Sequence, residues 1–385
     1  MAAVLLATAC TGSPARVSAP PSTHPPNSIS PGNPAVPNEE QPSTTLIVRS
    51  VEPIPADLRS AARINDGVLA ASEAAVFVAD LESVDSTPQV SGGSDVRPVI
   101  AVAVSPDLLE YLPSGKAAAA VLRRGEAVVH EQAAKLMGVE VGNSMRLSWA
   151  GSDRNVRVGE IVPGDEFFRY EVILPLSMYG APDTAHALVV AVAQKNAEHI
   201  AESLRRAAGH TFVSVYRLGS RAEVDTVLSY PAIKALFGEF SFRRTSGDLI
   251  SPDEDWVHSA IVRQHLPVLG WVECHTKILR QLSYAMRELE RSGFASLVHS
   301  FDGCYVPRLQ RNASALSAHT WGIAIDINAS ANRLGEPPTM NARIVEIMKR
   351  WGFAWGGDFS IPDGMHFEFA RFPSEAQYQE ADRQS

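Results

Sequence analysis

Ser317-Ala-His-Thr-Trp-Gly-Ile-Ala-Ile-Asp326, answered downstream by Asp363-Gly-Met-His366, sets the fold of the C-terminal part of the chain. Ile323, Ile325 and Ile327 alternate with Ala324, Asp326 and Asn328, the two-residue period of a strand with its isoleucines in a core and polar groups opposite. His319 lies seven residues before Asp326. That odd offset puts it on the wrong face of one straight strand, so the chain must turn near Gly322, where glycine permits it. His366-Phe-Glu-Phe369 alternates in the same way, with His366 and Glu368 on one side and the phenylalanines on the other. Two neighbouring strands then aim His319, Asp326 and His366 at one point. Two imidazoles and a carboxylate close three sides of a zinc tetrahedron and leave the fourth for water, the arrangement of a catalytic site. Asp363, in a Pro-Asp-Gly turn three residues before His366, is the candidate to take a proton from the attacking water and pass it to the leaving amine.

The combined pattern Ser-x-His-x-x-Gly-x-Ala-x-Asp, then Trp351-Gly-Phe-Ala-Trp-Gly-Gly-Asp358, then Asp-x-x-His-Phe resembles the zinc D-alanyl-D-alanine carboxypeptidases and L-alanyl-D-glutamate endopeptidases. Those enzymes cut the peptide stems of bacterial peptidoglycan. The resemblance covers residues 245 to 372 and implies a zinc ion held by His319, Asp326 and His366, with Asp363 as general base where the family often carries Glu. It also implies an arginine upstream of the first histidine that holds a substrate carboxylate or carbonyl. Arg308, ending Gly303-Cys-Tyr-Val-Pro-Arg308, is preferred to Arg311. The choice between carboxypeptidase and endopeptidase stays open, as does a zinc-containing binder that does not cleave. Ser317 reads either as a cap of the turn or as a group beside the metal, and Glu368 as an outer partner of His366 or a surface group. Trp351 reads as a core aromatic, and His258, His275 and His299 have no paired spacing and read as structural.

The fold class expected is α+β: a C-terminal zinc-peptidase domain with a small antiparallel sheet flanked by helices, preceded by a separate α+β module. The chain has 385 residues and a net charge of −9 without a concentrated basic tract, which argues against nucleic acid as a partner. Residues 1–10, Met-Ala-Ala-Val-Leu-Leu-Ala-Thr-Ala-Cys10, resemble the end of a bacterial lipoprotein signal, with Cys10 as the lipid-anchored residue and no charged leader before it. The alternative is a short apolar start with an incidental cysteine. Residues 11–43 are rich in Pro, Ser, Thr and Asn and cannot bury enough surface to offset ordering entropy, so a flexible tether is expected. An anchor and tether of this kind imply an extracytoplasmic, cell-surface location. Cys274 and Cys304 flank a helix expected over 276–291, either bridged in an oxidising exterior or as two buried thiols.

Residues 44–221 form the module. Strands are expected over 45–51, 99–104, 155–162 and 187–192, and helices over 56–62, 117–123, 131–137 and 196–208. The strand-helix-Gly-strand rhythm from Gly125 to Val162 resembles the extracytoplasmic core domain of MacB- and FtsX-type permeases, which implies protein contacts and a possible envelope partner rather than chemistry. Leu112-Pro-Ser-Gly-Lys116 lacks the first glycine of a phosphate loop and reads as a turn. A boundary is expected over 222–250, helices over 255–263, 276–291 and 341–351, the peptidase domain over 245–373, and a loose polar tail over 374–385.

Overall fold

Valine and alanine dominate the strands of the first half, where small or β-branched side chains pack on both faces. A computed structural model describes residues 43–50, 52–89, 96–111, 115–163, 170–180, 186–217, 227–310, 315–359 and 361–383. Cys10, tether residues 11–42 and Arg311 lie outside them, and Ser43, the last residue expected in the tether, is the first of β1. The strands are β1 (Ser43–Ser50), β2 (Val68–Val84), β3 (Thr87–Pro88), β4 (Arg97–Val104), β5 (Ala127–His130), β6 (Ser144–Trp149), β7 (Ser152–Val162), β8 (Val172–Pro175), β9 (Ala187–Ala193) and β10 (Val213–Arg217). They run in the order β10-β1-β9-β2-β4-β8-β5-β7-β6, and β6 pairs back onto β2. Six strands therefore close a ring around Phe77, Leu81, Ala101, Val129, Leu147 and Val158, while β9, β1 and β10 extend the first part of β2 as an open sheet.

Helices α1 (Ala56–Ile64), α2 (Pro106–Leu109), α3 (Gly115–Arg123), α4 (Glu131–Met137) and α5 (Ala197–Ala207) accompany these strands. Leu58 of α1 and Ile200 and Leu204 of α5 share a core with Leu46, Val48 and Val190 of the open sheet. Among the described residues no helix is long and apolar enough to cross a membrane.

The second half contains α6 (Tyr230–Phe237), β11 (Phe242–Arg244), β12 (Ile250–Pro252), α7 (Glu254–Ala260), β13 (Ile261–Leu266), β14 (Gly270–His275), α8 (Thr276–Arg291), β15 (Phe301–Gly303), β16 (Ala324–Ile327), α9 (Ala342–Arg350), β17 (Phe353–Trp355), β18 (His366–Phe369) and α10 (Glu375–Arg383). The fold is α+β, with a small antiparallel sheet ordered β15-β16-β18-β17 in this half. Helix α8 starts where the His275 side chain accepts the Lys277 N–H, and it buries Ile278, Leu282, Ala285, Met286 and Leu289 at helical spacing in the core shared with that sheet. Truncating Leu282, which is fully buried, would cost about 2–5 kcal/mol.

Three expectations change. The helix expected to Arg263 stops at Ala260, because the β-branched and alternating run Ile261–Leu266 pairs with Gly270–His275 as a hairpin. The interval 222–250 is not an empty boundary: its described part holds α6 and β11. Residues 375–383 are not a loose tail but a helix, docked through buried Tyr378 and Ala381 and through Arg280–Glu375 and Tyr284–Asp382 contacts to α8. The α+β module precedes the C-terminal half as expected, and Val78 and Ile100 of its ring share a core with Phe237, Phe242 and Ile325 within one compact unit, Pro42–Ser385. The structure joins Cys274 to Cys304 in a disulfide.

Candidate metal centre

Ser317 begins the site as a cap. Its Oγ accepts the His319 N–H at 3.3 Å and starts a single 3₁₀ turn, Ala318–Trp321. Gly322 ends that turn at φ 63°, and a Cβ there would lie 2.9 Å from the His275 amide nitrogen, so the turn needs glycine. The chain then enters β16, where Asp326 stands directly opposite His366 of β18. Ile323, Ile325, Ile327, Phe367 and Phe369 fill the core beneath.

The donor atoms meet. His319 Nε2 lies 3.2 Å from His366 Nδ1 and 3.2 Å from Asp326 Oδ1, and His366 Nδ1 lies 3.0 Å from Asp326 Oδ1. A tetrahedral zinc with bonds of about 2.0–2.1 Å has edges of roughly 3.3 Å. Among the described residues, these three form the set of His, Cys, Asp or Glu groups able to hold a metal ion.

Outer partners fix which nitrogen of each ring is a donor. His319 Nδ1–H donates to the Cys304 carbonyl at 2.9 Å, which leaves the Nε2 lone pair inward. His366 Nε2–H donates to Glu368 Oε2 at 3.1 Å, which leaves Nδ1 inward. When both imidazoles are neutral, two lone pairs and a carboxylate oxygen thus converge, and a cation, whether a proton or a metal ion, relieves their mutual repulsion. Electrostatics agree. Burial pushes the Asp326 carboxyl up, but hydrogen bonds from His319 and His366 outweigh it and hold it well below the usual range. Burial alone would lower His366, yet hydrogen bonds to Asp326 and Glu368 reverse this and push it up to about 10. The cage calls for positive charge, which a divalent ion supplies in place of a proton. The residues fit the metal.

Residues 311–369 match the family model described as D-alanyl-D-alanine carboxypeptidase. The matched span contains His319, Asp326, Asp363 and His366, and Arg308 lies just before it. A comparison with curated proteins gives no match. Among solved structures, the extracellular domain of the noncanonic ABC-type transporter YknZ from Gram-positive bacteria is similar at 13% identity, over 46% of this chain and 99% of that one, with a TM-score of 0.28.

Asp363 sits in the turn before β18, with its N–H donating to the Gly356 carbonyl at 2.8 Å and its own carbonyl accepting the His366 N–H at 3.0 Å. Its Oδ1 is buried without a hydrogen-bond partner. Burial pushes its carboxyl up, opposed by His366, reinforced by Asp326, and opposed again by His319 and Arg308. Such a carboxyl has a proton affinity suited to base work and a free oxygen to do it with. Arg308 is half-buried, and its guanidinium makes no hydrogen bond or ion pair to a described residue. Its backbone is pinned to the ligand turn: its N–H donates to Thr320 Oγ1 at 3.1 Å, and Thr320 Oγ1–H donates to its carbonyl at 2.8 Å.

The open readings of single residues divide as follows. Ser317 caps the turn, Glu368 is the partner of His366, and Trp351 is buried with its Nε1–H donating to Glu288 at 2.7 Å. Two contributors were not legible in advance. The Cys304 carbonyl is a backbone atom, which sequence cannot mark. Gly356 is one of several glycines in an aromatic-glycine run, but a Cβ there would lie 2.4 Å from the Asp363 carbonyl and 3.0 Å from His366 Cβ. Only its bare backbone lets the base turn and the last ligand pack together.

Proposed function

We propose that this chain is a zinc-dependent peptidase acting on peptidoglycan stem peptides, of D-alanyl-D-alanine carboxypeptidase or L,D-endopeptidase type. The observation that carries the reading is the inward convergence of two imidazole lone pairs and one carboxylate, with Asp363 buried and unpartnered nearby. The family match over residues 311–369 supports the substrate class. His319, Asp326 and His366 hold the metal. Zinc, when bound, supplies Lewis acidity toward the scissile carbonyl and the attacking water. Asp363 accepts the proton of that water and returns it to the leaving amine, and burial, by raising its carboxyl, favours the acceptance. Arg308 anchors a substrate carboxylate or carbonyl with the fork of donors on its guanidinium.

The Cys274–Cys304 disulfide favours an oxidising, extracytoplasmic location. Lipid anchoring at Cys10 and recruitment of an envelope partner through residues 44–221 belong to the same proposal. The test is digestion of purified muropeptides with and without a chelator, followed by mass spectrometry. Chelator-sensitive loss of a terminal D-alanine, or cleavage inside the stem, supports the reading and names the bond. Intact muropeptides in the presence of zinc-loaded protein would reduce it to a binder. Intact-protein mass measured from the native host checks the anchor, since an unmodified Cys10 on a full-length chain removes it.

A further inference from the structure

The ligand turn is held from one side by α6, at both of its ends. Tyr230 Oη–H, at the start of α6, donates to the carbonyl of Leu316, just before the cap Ser317. At the far end the Gly238 carbonyl accepts Trp321 Nε1–H at 3.0 Å, one residue before the turn closes at Gly322. The neighbouring carbonyls serve the same region. Phe237 O accepts His275 Nε2–H at 3.1 Å and Trp256 Nε1–H at 3.3 Å, and Leu236 O accepts the Lys277 ammonium. Gly238 has φ 94°, and a Cβ there would lie 2.7 Å from Trp256 Nε1, so this end of α6 tolerates little displacement.

The other side of α6 faces the strand ring. Lys234 is fully buried, and its ammonium donates to Glu171 Oε1 at 2.8 Å, to the Pro98 carbonyl at 2.5 Å and to Glu239 Oε1 at 3.3 Å. Glu171, beside β8, is equally buried and accepts the Ile100 N–H of β4 at 2.8 Å. Glu239 in turn receives Arg97 at 3.0 and 2.5 Å. Every donor of the ammonium has an acceptor on a different segment. A buried pair of this kind contributes less to raw stability than to fixing one arrangement over others. What it fixes here is the seat of α6.

We propose that Lys234, Glu171 and Glu239 are positioning residues for the metal centre: the strand ring grips α6 through them, and α6 holds the His319 turn in ligating geometry between Leu316 and Trp321. The ring is then a working part of the peptidase site and not an appended module. The affinity readout rests on the metal-centre reading given above, and a second readout does not.

The experiment compares full-length wild type, Lys234→Met, the milder Glu239→Gln, and Leu204→Ala, a core truncation in the remote α5 that lowers stability without touching α6. Zinc affinity is measured by competition with a chelating dye, and amide exchange is followed at Val306, Thr320 and Gly322 by mass spectrometry. Expected are a loss of zinc affinity of about tenfold in Lys234→Met and a smaller loss in Glu239→Gln, with little change in Leu204→Ala. The amides of the ligand turn should exchange faster in the first two at matched global stability. Should Lys234→Met fail to fold, Glu239→Gln carries the comparison alone. Exchange and affinity in the junction variants that simply follow those of Leu204→Ala would overturn the inference. If wild type holds no zinc, the functional reading fails, and the exchange data still decide whether the ring positions the turn.

Discussion

Buried ionisable groups occur in both halves of the molecule, but they are arranged differently. Toward the first half they are closed upon partners: Glu171 upon Lys234 where the halves meet, and Glu73 upon Arg63 at 2.9 Å. In the second half His319, Asp326, His366 and Asp363 face one another with lone pairs left over. A closed pair satisfies itself and fixes packing, whereas an open set has to be completed by something from outside. The difference separates residues that hold a fold from residues that make a site, and burial alone would not have told them apart.

The largest expected effect falls on the open set. Asp363→Asn should lower turnover by about 10²–10⁴-fold while zinc stays bound, as measured by kinetics with parallel metal analysis. Near-normal turnover would remove the base assignment. Wild-type activity should fade as pH drops through a value above the usual aspartate range, because burial raises the Asp363 carboxyl and its protonated form cannot accept the proton.

The closed pair should respond in stability instead. Lys234→Met strands the Glu171 carboxylate and should cost about 3–5 kcal/mol in urea unfolding, while Lys234→Met with Glu171→Leu should regain most of it. Equal losses in the single and double variants would show that the pair contributes as an attraction and not as mutual neutralisation.

Glu368→Gln blurs the contrast, since it alters an outer partner of the open set. It should weaken zinc binding by about 10–100-fold with a small change in unfolding free energy, read from a metal titration.

The smallest effect concerns the junction at low pH. Burial opposes ionisation of Glu239, but Lys234 and Arg97 outweigh it and lower its carboxyl. A depressed folded value means that its stabilisation is complete above the unfolded value of 4.5 and is lost as pH falls through the folded one. Glu239→Gln should therefore flatten the acid limb of the stability profile below that pH.

How far the sequence reaches differs between the halves for the same reason. The ligand turn was legible because an open set must place scarce residue types at fixed offsets, and Gly322 had to break the strand between His319 and Asp326. The ring was much less so. Residues 68–84 mix alanine, valine and glutamate in a run that gives neither a clean period of two nor a helical stripe, yet they form the 17-residue strand that pairs with β9, β4 and β6 in turn. Its pairing is tertiary information. Helix α10 was hidden because only Tyr378 and Ala381 are buried, too thin a stripe to stand out among polar residues. Lys234 lies in the interval expected to be a boundary, and nothing local announces Glu171 more than sixty positions upstream.

The disulfide gives the His319 ring a history as well as a position. The carbonyl that selects its tautomer belongs to Cys304, and Cys304 is tied to Cys274. The centre is thus finished by an oxidation step after synthesis. Material produced where glutathione keeps thiols reduced should take up zinc more weakly than material folded in an oxidising medium, and side-by-side titrations of the two preparations would reveal it.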